Sequence, residues 1–358
     1  MALDDGSLEG VIAARTRIAH VDGRRGVVTV RGYSLPELAA SRRYEDVAYA
    51  VLRGALPEGG EGARFAGAMR AAAALSPGDA RVAEALGAAR PKPEALVAAL
   101  VLADDAEARG LEPLARAERA LARVPALCAA VAGLGAPPDA ASYAGRALFA
   151  LGAARRDAGA ERAVEVLVAL ESEHGLSAST FACRVAASSG AGAGASLSAA
   201  GAALSGPRHG GATAEARAVL LEAARAGDVG AFVRARHARK ERLPGFGHRI
   251  YKVADPRVPP LREAMRAMGG APLLPVAEAL EAHAAPLYAG KGVHANIDLY
   301  GAVLLDALGV DPELYVSAFV LGAAAGWLAH WAEQRSTGRL VRPESEYAGP
   351  PPRPVPPR

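Results

Sequence analysis

Alanine and leucine return every three or four positions through most of this chain, with glycine and proline clusters between the runs. That spacing predicts helices. In the first half the runs are Tyr44–Leu52, Pro93–Ala108, Leu114–Val131, Ala141–Leu151 and Ala163–Glu171; in the second they are Thr213–Ala226, Pro259–Met268, Leu274–Ala285 and Leu314–Ala332. The start of the chain differs. Val11–Ile18 and Val27–Arg31 are β-prone and flank the turn Asp22-Gly23, which predicts a short N-terminal hairpin. The expected fold class is all-α with that hairpin attached.

Three stretches stand out from this pattern. Val185–Pro207 is uncharged and rich in Ala, Gly and Ser. It reads either as a low-complexity linker or as a closely packed helical interface, and Leu197 and Leu204 favour the interface. Its GAGAGA run follows no strand, so a dinucleotide-binding loop is set aside. Leu314–Ala332 is long enough to span a bilayer, but Gly322, Gly326, Ser317 and His330 favour a buried core helix over a membrane span. The ending GPPPRPVPPR is polyproline-prone and expected to be mobile.

With 358 residues the chain has room for two domains. Apolar residues make up 51% and aromatics only 5%, so the core must come from Ala, Leu and Val in close-packed helices. A net charge of +3 with scattered basic residues argues against nucleic acid as a partner. Cys128 and Cys183 lack CxxC spacing and read as buried small hydrophobes, with no metal site. The opening MALDDGSLEG has no apolar signal core, so a reducing, cytoplasmic location is expected.

The chemistry concentrates in Leu243–Arg257, which contains GFGHRIYKVADPR. Gly245 and Gly247 allow positive φ and close backbone approach to a ligand. His248 titrates near neutrality if unperturbed and can exchange a proton. Asp255-Pro256 turns the chain, leaving Arg257 outside a helix and able to fork onto a carboxylate. Alone, the stretch reads equally well as a solvated basic loop. His209 precedes Gly210-Gly211 and a helical run, where the positive helix end would keep its ring neutral and donating. Asp298 stands before an apolar helix, and on local grounds is an N-cap first.

The loop GFGHRIYKVADPR resembles the signature of the citrate synthase family. Further matches run in family order: VRGYSLPELA, YEDVAYAVLRGALP, HGLSAST, LSGPRHGGA, NIDLYGAVL, AGWLAHWAEQ and RLVRPESEY. The resemblance is weakest over residues 58–138. It implies a large helical domain from residues 1–208 and 306–358, and a smaller one from residues 209–305 that carries most of the catalytic residues.

It also implies a Claisen-type condensation of acetyl-CoA or another short acyl-CoA with oxaloacetate or a related 2-oxo acid. Thioester hydrolysis then releases CoA. Asp298 would take the α-proton, His209 polarise the thioester carbonyl and His248 protonate the acceptor oxygen. His174, Arg257 and Arg342 would bind the acceptor, with Arg342 reaching a neighbouring subunit's site in a homodimer. Gly245, Gly247 and Lys252 would meet CoA, and no permanently bound cofactor is implied.

The sequence departs from the family pattern on the acceptor side. Gly322 and Ala323 stand where the family carries Ser-Arg, and HGLSAST replaces HELNAST at Gly175 and Ser177. Losing an arginine–carboxylate contact should cost about 2–5 kcal/mol of binding. A different 2-oxo acid, or compensation by Arg335 or Arg339, would follow. Citryl-CoA cleavage and a non-catalytic CoA- or metabolite-binding paralogue are the alternatives.

Overall fold

The computed structural model describes Leu8, residues 10–139 and residues 141–355. The opening residues 1–7 and the last three residues of the proline-rich tail, about which expectations were stated above, lie outside the described residues. Sixteen α-helices and one small antiparallel sheet are present among the described residues. The sheet runs β1 (Ala19–Asp22), β2 (Val27–Val30) and β3 (Tyr33–Ser34), in that spatial order. Ala19 pairs with Val30, and Thr29 with Ser34.

The hairpin is therefore real but displaced from its expected start. Residues 11–18 form no strand, because β2 offers only four partners and the turn at Asp22 sets their register. Val11 and Ile12 stay exposed, whereas Ile18 is buried and its carbonyl accepts from the Arg31 amide. A second correction falls on Pro93–Ala108. The helix ends at Ala99 and gives way to 3-10 turns at Leu100–Ala103 and Glu107–Gly110. Asp104 pairs with Arg116, and Asp105 accepts from the Ala108 amide, so these aspartates stabilise turns in place of continued helix. The other expected helices are present within a few residues of their predicted ends.

The Tyr315–Thr337 helix runs through the core and is buried on nearly every face. Long and apolar enough to cross a membrane by composition, it is instead enclosed by the protein's other helices. Tyr44 and Tyr143 stack at 4.3 Å, and both hydroxyls donate to the Leu321 carbonyl. Gly322 and Gly326 give the helix a smooth face. A Cβ at Gly322 would lie 2.6 Å from Glu171 Cβ, and one at Gly326 would lie 2.4 Å from the Ser172 carbonyl oxygen. The segment Glu171–Glu173 thus lies directly on this helix.

Val185–Pro207 is helical, not a linker: Ala178–Ser188 and Ala193–Ser205 pack on each other and on the Tyr315–Thr337 helix. Both cysteines are free and buried, and burial pushes each thiol up to about 12. Residues 349–355 are exposed and form neither helix nor strand.

The sheet has a positional role. Its β1–β2 turn touches the Gly245–Arg257 loop: the Lys252 amide donates to the Gly23 carbonyl, and a Cβ at Gly23 would lie 2.1 Å from the Ile250 carbonyl oxygen. Gly23→Ala should therefore speed hydrogen exchange at the Lys252 amide by about tenfold or more, equivalent to losing one hydrogen bond. Unchanged protection at Lys252 would show that the turn does not brace the loop.

Candidate active site

Two loops are zipped together in a way that brings the segments of His248 and Asp298 side by side. Gly245 and Gly247 have φ of +84° and +83°, which only glycine adopts without strain. Between them Phe246 makes an antiparallel bridge with Ala295. The Gly247 amide donates to the His294 carbonyl, the Asn296 amide to the Gly245 carbonyl, and Asn296 Nδ2 to the Gly247 carbonyl at 2.7 Å. His248 and Asp298 emerge from the ends of this zipper.

Asn296, not Asp298, caps the Ile297–Ala307 helix. Its Oδ1 accepts from the Asp298 and Leu299 amides. The local expectation of a capping role for Asp298 is thereby corrected: its carboxylate is left to accept the Thr213 hydroxyl at 2.7 Å. Burial raises the Asp298 pKa, while the Thr213 hydrogen bond and the Arg257 charge pull it down. A carboxylate strained in this way is a stronger base than a surface aspartate.

Thr213 belongs to the Ala212–Ala226 helix, which starts just after the turn that holds His209. That turn is fixed by the His209 amide donating to Gly206 and the Gly210 amide to Leu204. His209 Nε2 meets Ser179 Oγ at 3.1 Å, and Ser179 meets Ser177 at 3.0 Å. Its pKa is lowered as expected, but burial rather than the helix end is the cause.

His248 Nδ1 accepts from the Ile250 and Tyr251 amides at 3.1 and 3.0 Å. Two donors at one nitrogen fix the neutral tautomer that carries its proton on Nε2. Burial, with the Arg257 charge, lowers its pKa to about 4. The ring stacks on Tyr251 and meets His174 edge-on at 5.2 Å between centroids. His174 Nε2 lies 2.9 Å from the Tyr251 hydroxyl, and burial holds this imidazole neutral too.

Arg257 is buried, and it is not the free fork expected from sequence. It sits at the start of the Val258–Met268 helix, with Nε and Nη2 bonded to the two Asp255 oxygens at 3.0 and 2.9 Å. Its Nη1 meets Glu171 Oε1 at 3.2 Å. Asp255 Oδ2 also accepts the Ile297 amide, tying this pair to the helix of Asp298. Burial works against the Asp255 charge, but the Arg257 charge and hydrogen bonds hold its pKa below the ordinary value.

Two expected site residues stand apart. Arg342 is exposed and donates to the Pro343 carbonyl, so within one chain it does not join the cluster. Lys252 is exposed on the outer side of the loop and donates to the Arg249 carbonyl. Compensation by Arg335 or Arg339 is not seen. Arg335 lies about 18 Å along the helix from Ala323, beside Gly190, and Arg339 lies beyond the helix end. A cavity of about 140 Å³ lined by Arg70, Ala126, Ala130 and Arg146 lies elsewhere and contains none of these residues.

A family model described as citrate synthase, C-terminal domain, matches residues 7–344. The chain belongs to the citrate synthase family. It is 30% identical to the citrate synthase of Acidithiobacillus ferridurans, over 96% of this chain and 94% of that one. Identity to the citrate/2-methylcitrate synthase of Bacillus subtilis is 32%, over 96% of both chains. The fold superposes on citrate synthase from Pyrobaculum aerophilum with a TM-score of 0.88 at 30% identity, covering 98% and 93% of the two chains. It also matches the Thermoplasma acidophilum citrate synthase solved with carboxymethyl coenzyme A and oxaloacetate, with a TM-score of 0.81 at 26% identity and 97% of both chains covered.

In this citrate synthase family member the predicted residues also contact side chains not singled out from the sequence: Glu171, Ser179, Thr213, Tyr251, Asp255 and Asn296. Ser179, Tyr251, Asp255 and Asn296 lie inside the quoted motifs, so their signal was present. Ser177, which stands where the family pattern has asparagine, caps the Ala178–Ser188 helix and links to Ser179.

The His248 shift has a consequence for stability. The folded ring binds its proton only near pH 4, whereas an unfolded histidine binds it near 6.5. Stability is therefore fully present above pH 6.5 and lost as the pH falls from 6.5 toward 4, by about 3 kcal/mol at the limit. His248→Asn should flatten the Tm-against-pH curve in that window. An equal slope in both proteins would contradict the assignment.

Proposed function

We propose that this chain condenses acetyl-CoA, or another short acyl-CoA, with oxaloacetate or a related 2-oxo acid and then hydrolyses the thioester to free CoA. One observation supports the reading: the glycine zipper joins the loop of His248 to the start of the Asp298 helix, and the Thr213 hydroxyl joins Asp298 to the helix that follows the His209 turn. Asp298 removes a proton from the acyl α-carbon. His209, with Ser179 donating to Nε2, keeps its own proton on Nδ1 and donates it as a hydrogen bond to the developing enolate oxygen. The enolate carbon attacks the 2-oxo carbon, forming the carbon–carbon bond. His248 donates its Nε2–H as a hydrogen bond to the acceptor oxygen, and the proton that Asp298 took from the α-carbon ends on that oxygen, which restores the carboxylate. Water then cleaves the thioester, leaving CoA as the thiol.

Arg257 and His174 orient the acceptor, and Arg342 from a second copy of the chain completes the site in a homodimer. Gly245 and Gly247 admit the thioester close to the backbone, and Lys252 meets CoA phosphate at the rim. The helices of residues 209–305 close over the rest of the fold to exclude water during enolate formation.

Thiol release from acetyl-CoA in the presence of oxaloacetate tests the reading. Asp298→Asn should lower kcat by about 10²–10⁴-fold, the range for losing a general base. Full retention of turnover would reject Asp298 as the base. The Thr213 hydroxyl holds the Asp298 pKa down against burial, so Thr213→Val should move the acid limb of the kcat/KM profile to higher pH, by about one unit. A shift to lower pH, or none, would contradict this.

A further inference from the structure

Glu171 has no part in the mechanism above, yet it touches Arg257, the side chain to which that reading assigns the acceptor. It caps the C-terminal end of the Ala158–Leu170 helix, three residues before His174, and its side chain is only 12% exposed. Oε1 faces Arg257 Nη1 at 3.2 Å, and Gly322 on the central helix leaves space for its Cβ. Around the carboxyl the charges do not balance once an acceptor arrives. Arg257 is the one positive side chain acting on Glu171 among the described residues, and Asp255 already takes two of its N–H groups. Asp298 from the Ile297–Ala307 helix adds a second negative group, and Tyr251 faces the cluster from the loop. His174 and His248 are neutral. The central helix faces Glu171 with Gly322; of its titratable side chains, Tyr315 acts with Arg217, Asp306 and Asp311, while His330 and Glu333 are engaged with Glu173 and Arg184. An acceptor carboxylate bound beside Arg257 would leave several negative charges facing one guanidinium in a desolvated pocket.

We propose that Glu171 is a specificity-determining residue that binds the acceptor's carboxylate as a protonated acid, donating a hydrogen bond where no second cation stands. Acceptor binding then takes up one proton from solution. This rests on the condensation reading and names how its 2-oxo acid is held. Burial raises the Glu171 pKa to about 7, with Arg257 opposing the shift and Asp298 and Asp255 adding to it, so the proton is exchanged in the neutral range. Glutamine, a permanent neutral donor, imitates the protonated acid.

The test is the KM for oxaloacetate between pH 6 and 8.5 in the wild-type protein and in Glu171→Gln. Oxaloacetate's own carboxylates stay ionised throughout. Wild-type KM should rise about 30-fold across the range, as for a group that must be protonated and titrates at about 7. The glutamine variant should vary less than threefold and have the lower KM at pH 8.5. A flat wild-type profile, or the same rise in both proteins, would overturn the proposal. Calorimetric titration of oxaloacetate at pH 8, in two buffers of different ionisation enthalpy, reads the proton without turnover. Uptake near one proton by wild type and none by the variant supports the role of Glu171 even if no thiol is released, an outcome that would reject only the condensation. Wild-type binding without proton uptake, or no binding at all, overturns the role of Glu171.

Discussion

The guanidinium of Arg257 is buried where three distant chain segments meet. Asp255 grips it from the same loop, Glu171 reaches it from the end of the Ala158–Leu170 helix, and Asp255 also holds the amide that opens the helix of Asp298. Removing one partner of such a buried pair costs about 3–5 kcal/mol, because the other charge is left uncompensated. That penalty ties the loop of His248 to the segment of His174 and to the base of the Asp298 helix. The rest of the site is arranged around this junction: two imidazoles held neutral by burial and by a nearby cation, and a carboxylate whose pKa burial raises.

Neutral imidazoles suit the chemistry of a thioester enolate. A protonated histidine would hold the enolate oxygen more tightly but would also pull down the pKa of the neighbouring base. A neutral donor beside a desolvated carboxylate keeps the base strong while still stabilising charge as it forms. The structure assigns the donor atom of His248 through two backbone amides. At His209 the serine pair Ser177–Ser179 occupies Nε2, which leaves Nδ1 for a ligand. Ser177, where the family pattern has asparagine, caps the Ala178–Ser188 helix and supplies the hydroxyl that meets Ser179.

Much of this was legible from sequence, because helix spacing and the glycine-flanked histidine loop are local signals. The zipper needed Gly245, Gly247 and Asn296, all inside recognisable motifs. Glu171 was not legible. A glutamate at a helix end is solvated by default, and its burial depends on Gly322 from the other end of the chain. Arg257 was found but misread as free, since its carboxylate partners come from the turn before it and from that same distant segment. The true start of the hairpin also escaped, because register is set by strand pairing and not by β propensity alone.

The most direct test of the account is a crystal structure of this chain with oxaloacetate and a non-hydrolysable thioether analogue of acetyl-CoA. It should show the Asp298 carboxylate beside the analogue's α-carbon, His209 within hydrogen-bond distance of the carbonyl-equivalent oxygen, and His248 Nε2 on the acceptor's 2-oxo group. Ligands bound away from these three side chains, or the three facing separate cavities, would contradict it.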